Sequence, residues 1–166
     1  NRKTFDKHLF EVLGKAASDD ARQHPAAPCR RRSGGNEHHW LAICDIDHFK
    51  AVNDQHGHDV GDEVIREFAR RIRKNVRNLD LACRYGGEEF AVVMPDTDIA
   101  LARIVAERIR SEVAAHPFII AGRATLPVTV SLGVACIDGE NDAPEKLLKR
   151  ADVALYHAKR AGRNQV

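Results

Sequence analysis

The fold of this chain is decided around residues 84–90, which read RYGGEEF. Strand-like segments flank Gly86 and Gly87, and paired glycines predict a tight β-hairpin because they supply the positive φ angles that such a turn requires. Glu88 and Glu89 follow the turn directly. Adjacent carboxylates beside a bare backbone offer oxygen ligands to a hard divalent cation and leave room for a phosphate. For this stretch alone, an ordinary surface hairpin with solvated glutamates is the alternative.

The composition predicts one soluble domain. The chain has 166 residues, 43% of them hydrophobic, and a net charge of +2 from 26 basic and 24 acidic residues. A nearly balanced charge predicts no overall attraction to nucleic acid or to a membrane surface, so any anion site must be local. No stretch approaches the roughly 20 apolar residues that span a bilayer, and no signal peptide opens the chain. We therefore expect neither nucleic acid nor direct membrane contact.

The cysteines indicate the compartment. Cys29, Cys44, Cys83 and Cys136 are widely scattered, and none belongs to a C-x-x-C motif. Three of them lie in apolar strand-like runs, which suits buried, reduced thiols. This pattern predicts a cytoplasmic protein.

The hydrophobic pattern divides the chain into helices and strands. It predicts an N-terminal helix from Arg2 to about Ala17 and a long loop from Ser18 to His38, whose three consecutive arginines are interpreted as solvated charge. A buried central strand follows at Trp40–Cys44. The remaining predicted elements are a helix at Asp59–Val76, a hairpin at Leu81–Met94, a helix at Thr97–Ala115, a central strand at Val128–Cys136 and a helix at Ala143–Ala161 that Gly162 ends.

This order of elements predicts a ferredoxin-like α+β fold. Strand, helix, hairpin, helix, strand gives the βαββαβ pattern, with helices on one face of a mainly antiparallel central sheet. The first strand ends at Asp45, and pairing of the central strands would bring that residue close to Glu88 and Glu89. Three converging carboxylates repel one another unless a metal neutralises them. Magnesium with a triphosphate is the expected occupant.

Several spaced motifs carry a resemblance to a known family. They are DIDHFKAVND at residues 45–54, GH at 57–58, GD at 61–62 and GGEEF at 86–90. Together they resemble the GGDEF family of diguanylate cyclases, and most closely the members fused to response-regulator receiver domains. The resemblance covers nearly the whole chain. It implies a fold similar to the palm of polymerases and nucleotidyl cyclases, and a homodimer that joins two GTP molecules into cyclic di-GMP and releases two pyrophosphates.

The resemblance also implies the catalytic residues. Asp45, the backbone carbonyl of Ile46 and Glu88 would be metal ligands, with Glu89 as a further ligand for two Mg²⁺ or Mn²⁺ ions per active site. In two-metal phosphoryl transfer the carboxylates must meet at the α-phosphate, which agrees with this assignment. Glu88 would accept the proton of the 3′-hydroxyl, although a metal-bound hydroxide would serve equally well. Lys50 would stabilise the transition state.

Four residues match the guanine pocket of the family. Asn53 and Asp62 would recognise guanine, and Phe49 and His58 would lie beside them. An ionised aspartate only accepts hydrogen bonds, so it pairs with the N1–H and the exocyclic amine of guanine but not with adenine. The resemblance therefore implies GTP rather than ATP as the substrate.

Four other residues match the phosphate contacts of the family. Gly86 and Gly87 would let the phosphates approach the backbone. Lys159 and Arg163 belong to the closing motif of the family; because they lie four residues apart, we expect them on one helix face, where both can hold the triphosphate.

A third motif implies feedback by the product. Arg77 and Asp80 match the family's R-x-x-D inhibitory site at its usual spacing ahead of the glycine pair. Arg77 would contact phosphate or guanine acceptors of cyclic di-GMP, and Asp80 would read the guanine donor edge. Arg108 matches a secondary arginine of this site.

Other functions remain open at this stage. A non-catalytic receptor of cyclic di-GMP would use Arg77 and Asp80 alone, and a relaxed cyclase would also accept ATP. A zinc site is a further alternative, although it lacks H-x-x-x-H spacing and nearby cysteines. The histidines that suggest it are His38, His39, His48, His56 and His58. The chain starts inside the usual opening motif of the family, so we expect an output domain whose upstream receiver or other sensor domain is absent from this sequence.

Overall fold

The computed structural model describes residues 38–120, 122, 124–137 and 142–166. The predicted N-terminal helix, Cys29 and nearly all of the predicted 18–38 loop lie outside these ranges. The elements, in chain order, are β1 (His38–Ile46), α1 (Phe49–His56), α2 (His58–Asn75), β2 (Leu81–Arg84), β3 (Glu89–Thr97), α3 (Ile99–Ala115), β4 (Phe118–Ile120), β5 (Ala124–Leu126), β6 (Val130–Cys136) and α4 (Pro144–Arg160).

The central sheet has the strand order β2-β3-β1-β6, and all of its pairs are antiparallel. This order and the intervening helices confirm the ferredoxin-like α+β fold. β1 is central, as its continuous apolar run predicts. β6 was expected to be central as well, which is wrong: it lies at the sheet edge, where the backbone N–H of Leu132 donates to the carbonyl of Gln165. Helices cover both of its faces, and that burial accounts for its apolar sequence.

Helices lie on both faces of the sheet rather than on one. On one face, α2 and α3 pack against the sheet through buried side chains that include Phe68 and Ile109. On the other face, α4 packs through Leu147, Ala151 and Leu155. Gly133 in β6 permits this contact, since a Cβ there would overlap the backbone of α4. Burying a side chain as large as Phe68 contributes about 2–3 kcal/mol.

Three short elements escaped prediction from the sequence. α1 buries only Phe49, and β4 and β5 form a separate two-stranded sheet. Arg71 connects this region to α2: its guanidinium donates to the carbonyls of His116 and Pro117 and lies 3.9 Å from the centroid of the Phe118 ring. Arg71 thereby satisfies carbonyl groups that the end of α3 leaves without helical partners.

The thiols differ in burial. Cys44 is fully buried, and burial raises the pKa of its thiol to about 12. Cys83 and Cys136 are only partly buried, so the expectation of buried thiols holds for Cys44 alone. Among the described residues, no helix combines the length and the apolar character needed to cross a bilayer.

Candidate active site

The acidic residues meet where β1 and β3 pair. The strand register places Asp45 directly opposite Glu89, which confirms the predicted proximity of the first strand and the hairpin acids. Asp45 is 5% exposed, and Glu88 and Glu89 are partly buried. Two antiparallel neighbours therefore carry carboxylates at the same end of the sheet, which we name the carboxylate end (Asp45, Glu88 and Glu89).

The ionised forms of Asp45 and Glu88 are unfavourable at this end of the sheet. Burial is the main cause that raises the pKa of Asp45, while the hydrogen bond and the charge of Lys159 act in the opposite direction. Burial also raises the pKa of Glu88, and the neighbouring charge of Asp45 adds to it. An additional cation at this point would relieve both effects.

Lys159 lies at the carboxylate end. Its Nζ is 2.8 Å from Oδ2 of Asp45, and its role in holding the triphosphate stays a prediction. Within the described ranges, no three histidine, cysteine, aspartate or glutamate side chains are gathered closely enough to hold a metal ion. The three carboxylates are therefore neighbours without forming a preassembled cage. Their hard oxygen donors nevertheless fit Mg²⁺ or Mn²⁺ in kind.

The glycine turn differs from its prediction. Gly86 and Gly87 are not among the residues with positive φ, and four residues, 85–88, separate the two strands. The backbone N–H groups of Tyr85 and Gly86 both donate to the carbonyl of Glu89. A Cβ at Gly86 would overlap the Glu89 carboxylate, whereas a Cβ at Gly87 would meet open space. The pair therefore gives the Glu89 side chain room and leaves the backbone open at Gly87, instead of supplying positive φ.

Sequence reasoning missed the residue that braces this turn. The guanidinium of Arg84 donates to the carbonyls of Gly86 and Gly87, at 3.2 Å and 2.7 Å. An arginine two residues before a glycine pair is the only sequence signal for this contact. Arg84 therefore holds two carbonyls of the turn in fixed directions.

The residues matched to the guanine pocket lie on α1 and α2. Asn53 packs so closely against α2 that a Cβ at Gly61 would overlap its Oδ1, and Asp62 follows in the same turn and is exposed. His58 is exposed at the start of α2. Phe49, by contrast, is buried in the core. Lys50 is exposed in the first turn of α1.

Arg163 does not share a helical face with Lys159, because α4 ends at Arg160. Gly162 follows with φ of 118°, and the N–H of Arg163 donates to the carbonyl of Ala158. This is the Schellman pattern of helix ends. Gly162 ends the helix as predicted, and for that reason Arg163 leaves the helix axis. The charge of Arg163 still acts on Asp45, where it opposes the effect of burial on the pKa.

The R-x-x-D motif forms an ion pair within the chain. Nη2 of Arg77 lies 2.7 Å from Oδ1 of Asp80, whose side chain is fully buried, and the backbone N–H of Arg77 donates to Oδ2. Nη2 also donates to the Pro95 carbonyl and to Oγ1 of Thr97. Asp80 was expected to read guanine, whereas both of its oxygens here accept from Arg77. Arg108 is exposed and donates to the carbonyl of Asn75 at the end of α2.

The comparisons with known proteins agree with this arrangement. A family model described as "Diguanylate cyclase, GGDEF domain" matches residues 1–165. The response regulator PleD of Caulobacter vibrioides is 55% identical over 138 residues, which cover 82% of this chain and 30% of that protein. The diguanylate cyclase DgcP of Pseudomonas aeruginosa is 40% identical over 175 residues, covering 99% of this chain and 26% of that protein.

A solved structure of a related domain has a similar fold. The GGDEF domain of DgcB from Caulobacter crescentus, in complex with c-di-GMP, superposes with a TM-score of 0.85 at 35% identity and covers 100% of this chain and 88% of that one. The chain therefore belongs to the GGDEF family of diguanylate cyclase domains. It spans about a third of the length of PleD and a quarter of DgcP.

Proposed function

We propose that this chain is the catalytic domain of a diguanylate cyclase, which condenses two GTP molecules into cyclic di-GMP and two pyrophosphates. The observation that carries the proposal is the register of Asp45 opposite Glu89, with Glu88 adjacent, in a chain of the GGDEF family. Burial makes Asp45 and Glu88 unfavourable as isolated charges, and repulsion from Asp45 and Glu89 adds to this effect at Glu88. A site with this property gains stability when a nucleotide brings its cations.

The proposed metal ligands are Asp45, the backbone carbonyl of Ile46, Glu88 and Glu89, for two Mg²⁺ or Mn²⁺ ions. When bound, such ions would neutralise phosphate charge and activate the attacking 3′-hydroxyl. Lys159 pairs with Asp45. Because a divalent cation would compete with its ammonium for that carboxylate, Lys159 would be released towards the triphosphate, where its family counterpart is expected.

Two side chains are assigned to the chemical step. Glu88 would accept the proton of the 3′-hydroxyl, and burial moves its pKa upward, towards the operating pH that favours a general base. Lys50, exposed at the start of α1, would stabilise the charge that develops on the phosphate.

Substrate selection is assigned to the α1–α2 corner and to the turn. Asn53 and Asp62 would bind guanine beside His58, with Phe49 supporting Asn53 from the core. The open backbone at Gly87 would accept a phosphate, and the room at Gly86 is taken by Glu89. Arg163 would hold the triphosphate. An ionised Asp62 would face an acceptor of adenine, so GTP is the proposed substrate rather than ATP.

Dimerisation and feedback complete the proposal. Each domain would bring one GTP, so the reaction needs two copies facing each other. Cyclic di-GMP would then bind at Arg77 and Arg108 as a product inhibitor, with Asp80 holding the Arg77 guanidinium in place. The DgcB structure with c-di-GMP supports this ligand, and the likeness to PleD supports an upstream receiver domain in a cytoplasmic signalling protein.

The deciding experiment is an assay of GTP turnover. The protein at high concentration is incubated with GTP and Mg²⁺, and the nucleotides are separated by chromatography with mass detection, with Glu88→Ala alongside. Cyclic di-GMP from the parent alone supports the proposal. If no product forms even after a dimerising segment is fused to the N-terminus, the cyclase proposal is wrong and a non-catalytic receptor of cyclic di-GMP becomes the better account of Arg77 and Asp80.

A further inference from the structure

A buried carboxylate next to the proposed site has no part in the function described so far. Asp47 follows β1, two residues after Asp45, and is 5% exposed. Its Oδ1 accepts from the hydroxyl of Ser131 at 2.7 Å. Its Oδ2 accepts from the hydroxyl of Thr129 at 2.7 Å and from the backbone N–H of Asn164 at 3.0 Å. Asp47 thus joins the loop after β1 to the C-terminal segment, 117 positions further along the chain.

That segment has an unusual backbone. Gly162, Arg163 and Asn164 have consecutive positive φ angles of 118°, 62° and 49°. Two adjacent residues other than glycine in the left-handed region are unfavourable and persist only where surrounding contacts impose them. Such strain is a reason to look for a functional role.

The contacts that impose this conformation come from three elements. Asp47 accepts from the backbone of Asn164, and Arg110 of α3 donates to Oδ1 of the same residue at 2.8 Å. The N–H of Leu132 in β6 donates to the carbonyl of Gln165 at 2.9 Å. Asn164 is therefore held on both its backbone and its side chain: Asp47 accepts from its N–H, and Arg110 also donates to its carbonyl at 3.4 Å.

The residue that this anchor positions is Arg163. It directly precedes Asn164, whose N–H lies 3.0 Å from Oδ2 of Asp47, two residues after the proposed metal ligand Asp45. We propose that Asp47 is a positioning residue for the nucleotide site: by fixing the backbone of Asn164, it presents the Arg163 guanidinium to the triphosphate. This inference rests on the proposed function, since it concerns the binding of the same substrate.

A carboxylate suits this role better than its amide. Three donors converge on Asp47, and an ionised carboxylate offers acceptor sites on both oxygens. In Asp47→Asn one oxygen becomes an NH₂ group, which cannot accept a hydrogen bond. The serine and threonine hydroxyls can rotate to adapt, whereas the Asn164 N–H cannot. The substitution therefore keeps the volume of the side chain and weakens the anchor.

The test measures the affinity for 3′-deoxy-GTP with Mg²⁺ by calorimetry, because this analogue lacks the attacking hydroxyl and is not turned over. We expect Asp47→Asn and Arg163→Ala each to weaken binding roughly tenfold, which corresponds to one charge-assisted hydrogen bond. The double variant should bind no more weakly than Arg163→Ala, because both changes remove the same contact. Hydrogen exchange at the Asn164 amide should be faster in Asp47→Asn.

Ser131→Ala is the matched control. It removes the hydroxyl from Oδ1 of Asp47 and leaves the Oδ2 contact with Asn164, so the affinity should stay close to that of the parent. If Asp47→Asn does not fold, Asp47→Glu tests the same anchor, because the longer side chain keeps the charge and displaces the carboxylate from the Asn164 N–H. Weaker binding that is not additive with Arg163→Ala supports the inference.

Different results would contradict the positioning role of Asp47 and the proposed function. If the parent binds the analogue and the Asp47 variant binds it equally well, or adds fully to Arg163→Ala, the positioning role is wrong and the proposed function stands. If the parent does not bind the analogue with Mg²⁺ at all, the proposed function is wrong, and the positioning role is wrong with it. A purely structural Asp47 would lower the unfolding temperature without changing the affinity of the folded molecules.

Discussion

The two ends of β3 differ in how the surrounding structure affects charged side chains: one end disfavours them and the other stabilises them. At its first residue lies the carboxylate end, where burial raises the pKa of Glu88 and of Asp45 on the neighbouring strand. At its last residue, Thr97, the side chain accepts from Arg77, which is paired with buried Asp80. The hydrogen bond that Arg77 donates to Asp80 is the main cause that raises the pKa of Arg77. Strand geometry separates the two ends by roughly 27 Å.

The difference shows how one sheet can support two sites. The R-x-x-D corner (Arg77, Asp80 and Thr97) stabilises its charges within the chain, so it is formed before any ligand arrives. The carboxylate end disfavours the charges that it holds, so it gains most from an incoming cation. The R-x-x-D corner therefore presents an arginine to a ligand, whereas the carboxylate end receives a positive charge.

The largest effect is expected from Glu88→Gln. The neutral amide neither binds a cation as a carboxylate does nor accepts the 3′-hydroxyl proton, so turnover should fall by roughly 1,000-fold. The unfolding temperature of the metal-free protein should not fall, because the charge of Glu88 is unfavourable in the fold. Turnover assays and thermal unfolding measure the two effects. Glu145→Gln, at an exposed glutamate in the first turn of α4, is the control.

The pH dependence of this variant has a definite sign. For a carboxyl whose folded pKa is raised, the folded state holds more protons between the ordinary and the raised pKa, so stability falls as pH rises through that window. Relative to the parent, Glu88→Gln should thus be more stable at neutral pH, and the difference should vanish as the pH falls towards the ordinary value of 4.5. A constant difference across this range would contradict the assignment.

Of the two sites, Gly133→Ala should affect ligand binding only at the carboxylate end. A Cβ at this position would overlap the backbone of α4 at Ala151 and Leu155, so the helix that carries Lys159 must shift. We expect a loss of about 3 kcal/mol in the free energy of unfolding, together with weaker GTP binding. Denaturant titration and calorimetry measure these. Binding of cyclic di-GMP, at the far end of β3, should be unchanged, and its loss would show that the two ends are coupled.

Arg77→Ala should have the converse effect. It removes the product contact and leaves the buried Asp80 carboxylate without its partner, so we expect a loss of about 2 kcal/mol in unfolding free energy. Turnover without product should stay near the parent rate, and inhibition by added cyclic di-GMP should weaken at least about tenfold. Arg108→Ala, at an exposed residue, is the comparison that should weaken inhibition without the stability loss. An Arg77→Ala enzyme as sensitive to product as the parent would rule out the inhibitory site.

The smallest effect concerns Glu67 on α2. Burial alone would raise its pKa, but hydrogen bonds from Arg71 and Arg70 outweigh it, and the pKa is lowered. A lowered pKa contributes stability above the ordinary value of 4.5 that is lost as the pH falls through the folded pKa. Glu67→Gln should remove this contribution, worth under about 1 kcal/mol, and flatten the acid limb of the stability curve. The stability contributed by the charge of Glu67 is lost as the pH falls, whereas that contributed by Glu88 is lost as the pH rises. The same pH dependence for both variants would contradict these assignments.

Much of the fold could be predicted from periodicity. The helix predicted at Asp59–Val76 is observed at His58–Asn75, because its apolar stripe is long and regular. α1 was missed, since eight residues with one buried side chain leave no stripe. β6 was misplaced to the centre of the sheet because helices on both faces give an edge strand the same apolar composition.

The site was predictable where topology determined it. The pairing of central strands places Asp45 beside the hairpin acids, and the structure confirms this. The pairing of Lys159 with Asp45 and the anchoring of Asn164 by Asp47 join residues more than 110 positions apart, and no local pattern indicates them. The turn at Gly86 was mispredicted because the steric demand comes from Glu89, not from the backbone angles.

The most direct test of the two-site account is calorimetric binding of two ligands to three proteins. The parent, Glu88→Gln and Arg77→Ala are each titrated with 3′-deoxy-GTP plus Mg²⁺ and with cyclic di-GMP. We predict that Glu88→Gln loses the GTP analogue and keeps cyclic di-GMP, and that Arg77→Ala shows the reverse. Loss of both ligands in either folded variant would contradict the assignment of separate sites to the two ends of β3.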